Sequence, residues 1–160
     1  MNGGCRVWLA GEADAEAVWR LLAEFRDWMA KAEPIDDSIR ATVEALVRDE
    51  ATDFLLVEPH DGDGAAGVCQ LRFRLSVWTA APDCWLEDLY VEQGARRAGL
   101  GAALGRAAIE RARTRGCRRI ELDVNEDNAA ALALYRELGF SIEPKPPGRT
   151  LFMGREIEPA

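Results

Sequence analysis

The sequence predicts an α/β protein: a mixed, twisted sheet of six or seven strands, parallel at its middle, with helices on both faces. Three observations carry this. From Cys84 to Gly139 the chain reads strand, glycine-containing loop, helix, strand, helix, an order that makes its two strands parallel. Before it come a short strand, two helices with apolar stripes and a hairpin. After it, T-L-F-M-G-R-E-I reads as one more strand, Leu151 to Ile157.

Arg6 to Ala10 (R-V-W-L-A) is the first strand. Gly11 to Asp14 opens a helix with Asp14 and Glu16 near its positive end. Val18, Leu21, Leu22, Phe25, Trp28 and Met29 form its apolar stripe, at helical spacing. Trp28 and Met29 fall in the last turn, where they join the core or form the lip of a pocket; the stripe favours core. Pro34 stops this helix. Asp36-Asp37-Ser38 begins a second, Ile39 to Val47. Thr52 to Glu58 and Ala66 to Trp78 read as a hairpin. Its turn spells G-x-G-x-x-G over Gly62 to Gly67. A dinucleotide fingerprint needs a helix after it; here a strand follows, and Asp61 and Asp63 would repel phosphates. His60 is read as a solvated turn residue.

Cys84 to Val91 (C-W-L-E-D-L-Y-V) is the next strand, followed by Arg96-Arg97-Ala98-Gly99-Leu100-Gly101 and a helix from Gly101 to Arg115. A glycine loop between strand and helix aims backbone N–H groups at an anion, and Gly99 and Gly101 allow close approach. The plain alternative is an ordinary strand-to-helix turn. Arg119 to Val124 is a parallel strand. Ala129 to Leu138 is a helix with Ala131, Leu134, Tyr135 and Leu138 on its apolar face and Gly139 as its C-cap.

At 160 residues, 48% of them hydrophobic, the chain suits one domain spanning 1–160. It has no apolar run long enough to span a bilayer, and its start lacks a secretory pattern, so a cytoplasmic location with no membrane partner is expected. Four cysteines lie far apart, without C-x-x-C, and there is one histidine; free thiols and no metal are expected. Net charge is −8, yet residues 94–119 hold eight Arg and one Glu, leaving −15 elsewhere. An acidic whole argues against a nucleic-acid partner. The basic segment suits a ligand with several phosphates; a solvated helix face is the alternative, because Arg106 and Arg113 lie opposite the Leu100, Leu104, Ala108 stripe. Arg96 and Arg97 are the two expected to touch ligand.

These residues resemble the GCN5-related N-acetyltransferases (GNAT). The family's acetyl-CoA pyrophosphate loop, Q/R-x-x-G-x-G/A, fits Arg96 to Gly101, with Arg97 where Gly is frequent. Its later motif, Asn with Tyr seven residues on and then L-G-F/A, fits Asn128, Tyr135 and Leu138-Gly139-Phe140. L-E-D-L-Y-V looks most like the diamine and polyamine branch. The resemblance implies central parallel strands that splay apart, acetyl-CoA as co-substrate, and a small cationic amine as acceptor. It implies that Leu89, Tyr90 and Val91 hold pantetheine by their backbone, with an N–H near Leu89 or Tyr90 steadying the oxyanion. The pyrophosphate would lie on Arg96, Arg97, Ala98, Gly99, Leu100, Gly101 and Ala102. Asn128 would bond the pantetheine or cap the second helix. Tyr135 would be the general acid; by its position it is equally a core residue.

Glu87 and Asp88 are adjacent on a strand, so their side chains should point to opposite faces. Glu87 is the preferred acceptor-facing carboxylate, either catalytic or binding, with Asp88 and Trp28 as further acceptor contacts. A carboxylate beside an amine raises that amine's pKa, so Glu87 binds well and is a base only at some cost. No acetyl-enzyme is expected, since a covalent route needs an activated Cys or Ser beside a base. Two other readings stand beside this one: an acetyltransferase of protein N-termini or lysines, and a non-catalytic acyl-CoA-binding module. A homodimer stays open.

Overall fold

The computed structural model describes residues 4–142 and 153–159. Its strands are β1 (Arg6–Leu9), β2 (Thr52–Glu58), β3 (Gly67–Ser76), β4 (Ala81–Val91) and β5 (Ile120–Glu121). Its helices are α1 (Ala15–Trp28), α2 (Asp36–Leu46), α3 (Leu100–Thr114) and α4 (Ala129–Glu137). The sheet runs β1-β2-β3-β4-β5 in space. The first three pairings are antiparallel, and β4 with β5 is parallel. That switch follows from connection length: β3 reaches β4 by a tight turn, while β4 reaches β5 only through α3.

Strand alternation sorts the core onto the two faces of the sheet. Leu55, Val57, Cys69, Leu71 and Leu86 meet the Leu100, Leu104, Ala108, Ala112 stripe of α3. Phe54, Leu56, Val68 and Tyr90 meet Val18 and Leu21 of α1 and Ile39 and Val43 of α2. Helices therefore cover both faces, as the sequence led us to expect. Helix α4 leans on α3, with Leu134 beside Gly101 and Leu138 against Gly105.

Four expectations are corrected. The sheet has five strands among the described residues, not six or seven, and its parallel pair, β4 with β5, lies at the edge of that sheet rather than at its middle. Strand β5 is two residues, where Arg119 to Val124 had been expected; its ladder with β4 stops at Trp85↔Glu121, and an alternating pattern forms a strand only where a partner edge runs alongside. The last expected strand, Leu151 to Ile157, begins outside the described residues. Its described part carries no strand, with Met153 87% and Ile157 88% exposed.

The G-x-G-x-x-G turn opens into β3, with no helix after it. Gly67 answers to packing there. A Cβ on it would lie 2.9 Å from Val57 Cγ1 and 3.0 Å from the Tyr90 carbonyl oxygen, and backbone cannot rotate away. Gly67→Ala should cost about 1–3 kcal/mol by overpacking, only partly offset by the gain from losing glycine's freedom in the unfolded chain. A urea midpoint equal to the parent's would show that β2 and β4 can part without cost.

Candidate active site

The site is built on a defect in β4. Gln70 pairs with Asp88, and the next residue, Leu71, pairs with Leu86, so Glu87 is an inserted residue without a partner. A bulge bends its strand and reverses which face each later residue occupies. Before it, Cys84 and Leu86 face α3; after it, Tyr90 faces α1 and α2, and Leu89 and Val91 face α3. The simple expectation that Glu87 and Asp88 fall on opposite faces of a regular strand is corrected by this insertion. Glu87 is exposed, whereas Asp88 is half-buried opposite the buried Gln70.

Beyond Trp85 the β4 edge that faces β5 has no ladder partner among the described residues. Which backbone groups it offers follows from the ladder. The Phe73 amide bonds the Ala51 carbonyl toward β2, so Val68 and Gln70, out of phase with Phe73, point to β4. They pair with Tyr90 and Asp88. Leu89 and Val91 therefore present their N–H and C=O groups to the open edge. Of the two residues expected to supply an oxyanion donor, the register favours Leu89 over Tyr90.

The loop after β4 returns to that edge. Gly99 is the N-cap of α3 at φ 79°, in the left-handed region. Arg97 lies there too, at φ 66°. The Ala103 amide donates to the Gly99 carbonyl at 3.0 Å, so the amides of Leu100, Gly101 and Ala102 head the helix without intrahelical partners. A Cβ on Gly101 would stand 3.4 Å from Leu134 and about 4 Å from Leu89 and Val91. Helix start, β4 end and α4 thus meet at one point. Arg97 and Ala98 are exposed beside it. This is the geometry an anion fits, with oriented N–H groups and the positive end of a 15-residue helix.

Asn128 is the N-cap of α4, its side-chain oxygen accepting from the Ala131 amide at 3.1 Å. Its capping role starts the helix that carries Tyr135 about two turns later. Tyr135 is half-buried, edge-on to Phe140 at 5.7 Å, and packs against the α3-side core. Burial, and then the charges of Cys69, Asp88 and Asp123, push its phenol up to about 12. Burial also pushes Asp88 up to about 6, helped by Glu87 and Asp123 and opposed by Lys31. Asp88, Asp123 and Tyr135 therefore share one electrostatic neighbourhood across the gap between β4 and β5. Asp123 was not singled out in the sequence; it lies in a stretch that reads as plain strand.

Lys31 reaches this neighbourhood because α1 ends in a Schellman turn. Ala30 sits at φ 55°, the Ala30 amide bonds Asp27 and the Lys31 amide bonds Arg26. Trp28 is 49% exposed, so the expectation of a core position is corrected: it is a rim residue. Phe25 stacks on it at 6.0 Å and on Tyr90 at 5.2 Å. Arg96 points to this rim. Its Nε donates to the Val91 carbonyl at 3.0 Å, and its guanidinium lies 5.0 Å from the Trp28 ring.

Elsewhere the arginine run is tied down by carboxylates. Arg111 and Arg115 hold Asp53, Arg113 pairs with Glu110, and Arg119 with Asp83. The four cysteines are free. Cys84 is 1% exposed, and burial pushes its thiol up to about 12. Burial drives the Cys69 thiol up as well. His60 is exposed beside Asp61.

Asp88 offers a pH test. A carboxyl whose pKa rises on folding stabilises the fold below its unfolded value, near 4, and loses that contribution as pH climbs through about 6. Asp88→Asn removes the burden of burying the charge. At pH 8 the variant should be more stable than the parent by up to about 3 kcal/mol, and below pH 4 the two should converge. A melting-temperature gap that is the same at both pH values would mean that Asp88 is not the buried titrating group.

Comparison with known proteins adds to this geometry. Residues 4–140 match the acetyltransferase (GNAT) family. The chain is similar to thialysine N-epsilon-acetyltransferase of Bos taurus, 30% identical over 141 residues, covering 81% of this chain and 80% of that protein. It is similar to mycothiol acetyltransferase of Beutenbergia cavernae, 40% identical over 84 residues; the match takes in 51% of this chain but only 26% of that longer protein. Among solved structures it is similar to a putative acetyltransferase from Arthrobacter sp. FB24, with TM-score 0.83, 30% identity, and 95% of this chain and 96% of that one covered.

Proposed function

This chain belongs to the GNAT family and is an acetyl-CoA-dependent N-acetyltransferase, and we propose that its acceptor is the primary amine of a small cationic molecule. The observation that carries the acceptor class is the acidic floor of the gap. Asp88 and Asp123 bear on the Tyr135 hydroxyl, and Glu87 and Asp123 bear on Asp88, with Lys31 opposing them there. An ammonium entering there meets more negative than positive charge. The similarity to an N-epsilon-acetyltransferase of thialysine, itself a small amine, supports the same class.

Acetyl-CoA supplies the activated acetyl group. The amides at the head of α3 and the turn from Arg97 to Gly99 hold its pyrophosphate. The open β4 edge at Leu89 and Val91 takes the pantetheine as a strand would. The Leu89 N–H aims at the oxygen that gains charge. Asp88 is the better acid–base partner of the two carboxylates. Near a pKa of about 6 it is charged at neutral pH and still basic enough to relay the ammonium proton. Glu87, more exposed, serves binding. Tyr135 is protonated in the resting enzyme, with its phenol raised to about 12, so it donates a hydrogen bond to the departing sulfur and gives up the proton only as thiolate charge builds. Transfer is direct to the amine. Cys84 holds almost no thiolate at neutral pH, with its thiol at about 12, and His60 stands in a distant exposed turn.

Thiol release from acetyl-CoA, followed over diamines, polyamines, thialysine, aminoglycosides, neutral amino acids and peptides with free N-termini, tests the acceptor class. Small cations should give the highest kcat/KM. A preference for peptides would replace this reading with protein acetylation, and thiol release with none of them would leave an acyl-CoA-binding module.

A further inference from the structure

Four side chains close a ring of contacts at the rim of the site. Phe25 stacks on Trp28 and on Tyr90, with centroids 6.0 Å and 5.2 Å apart. The Arg96 guanidinium lies 5.0 Å from the Trp28 ring and 5.7 Å from the Tyr90 ring. Two aromatic rings, Trp28 and Tyr90, flank one cation, with Phe25 stacked on both and holding them in place; aromatic faces set this way make a cage for alkylammonium ions. Here the cation belongs to the chain itself. The assembly opens outward, since Trp28 is 49% exposed and Arg96 is exposed. Acidic groups stand close by: Arg20 bridges Glu24 and Glu92 at 2.7 Å and 2.6 Å. All of this lies on the α1 and α2 face, the face of Tyr90.

Arg96 is held there by modest forces. An exposed cation–π contact contributes roughly 0.5–1 kcal/mol, and its hydrogen bond to the Val91 carbonyl is a single one. A phosphate at the head of α3, three residues further on, offers a bidentate charge-assisted pair, about twice the strength of a neutral hydrogen bond. Arg96 can satisfy one side or the other.

We propose that Trp28 and Tyr90, braced by Phe25, form a cation subsite on the acceptor side, and that Arg96 is its resident until a phosphate group at the α3 N-terminus draws the guanidinium away. The proposal rests on the assignment of the pyrophosphate to that helix start. Binding of CoA empties the cage for the acceptor's cationic end, so the two ligands bind with positive, reciprocal coupling, and the acceptor binds second. The cage also explains why an arginine opening a phosphate loop faces away from the loop's own amides.

Tetramethylammonium tests the cage directly, because it fits between aromatic rings and cannot be acetylated. Its binding is followed by titration calorimetry at constant ionic strength, with and without saturating CoA. In the parent, CoA should tighten tetramethylammonium binding about tenfold. Arg96→Gln should bind it without CoA as tightly as the parent does with CoA, and should show no further gain when CoA is added. Trp28→Ala should lose binding in both states. Trp28 and Arg96 are both exposed, so both variants should keep the parent's circular dichroism. Equal binding by parent and Arg96→Gln in both states, or undiminished binding by Trp28→Ala, overturns the proposal. A separate titration of CoA into Gly99→Asp keeps the two layers apart. If that variant binds CoA normally, the phosphate assignment has failed; if it does not, and CoA leaves tetramethylammonium binding to the parent unchanged, only the cage has failed.

Discussion

Tyr135→Phe should lower kcat by about 10²-fold or more, the scale for losing a general acid, while acetyl-CoA affinity and thermal stability stay close to the parent's. The variant keeps the ring, its edge contact with Phe140 at 5.7 Å and its place against the α3-side core. The hydroxyl holds no side chain or backbone group among the described residues, so removing it leaves no orphaned partner and opens no cavity. What is lost is the donor proposed for the departing sulfur. The pH dependence separates this role from that of Asp88. With its phenol near 12, Tyr135 contributes no titration in the working range; the acidic limb of kcat/KM, near pH 6, belongs to Asp88 and should persist in Tyr135→Phe at reduced height. Steady-state kinetics between pH 5 and pH 9 read both. Full turnover in the Phe variant would remove Tyr135 from the chemistry. An acetyl group on Cys84 by intact mass during turnover would replace direct transfer with a covalent route.

The parts of the fold that were legible in the sequence are those set by local periodicity. The β2 span Thr52 to Glu58 and the Leu100, Leu104, Ala108 stripe of α3 needed only near neighbours. The bulge at Glu87 was not legible. L-E-D-L-Y-V alternates acceptably as a regular strand, and the insertion is decided by the register of β3, where Gln70 takes Asp88 and Leu71 takes Leu86. That single slip moves the more buried carboxylate from Glu87 to Asp88. Charge pairing shows the same limit. The eight arginines between residues 94 and 119 can be counted in the sequence, but their partners cannot: Arg111 pairs with Asp53, which is 58 positions away. The cage, too, joins residues that only the sheet brings together, Phe25 from α1 and Tyr90 from β4.

The glycine turn at the head of α3 was legible, because strand, glycines and helix are contiguous in the chain, and Gly99→Asp is the sharpest test of the anion site proposed there. Gly99 sits at φ 79°, a region that costs an L-residue about 1 kcal/mol or more, though Asn and Asp tolerate it best. Nothing lies within 4 Å of a Cβ built there, so the substitution meets no steric clash. A carboxylate at a helix N-terminus is itself favourable by roughly 0.3–1 kcal/mol. The two effects on folding oppose each other, and the melting temperature should move little. Ligand binding has no such compensation. The carboxylate stands where the pyrophosphate belongs, and like charges about 5 Å apart at an effective dielectric near 20 repel by roughly 3 kcal/mol. Acetyl-CoA should therefore bind about 10²-fold more weakly by calorimetry. Gly99→Asn carries the same backbone strain without the charge and should lose less than about tenfold. Equal losses in the two variants would assign the effect to loop geometry alone. Parent-like affinity in Gly99→Asp would mean that the phosphates bind elsewhere.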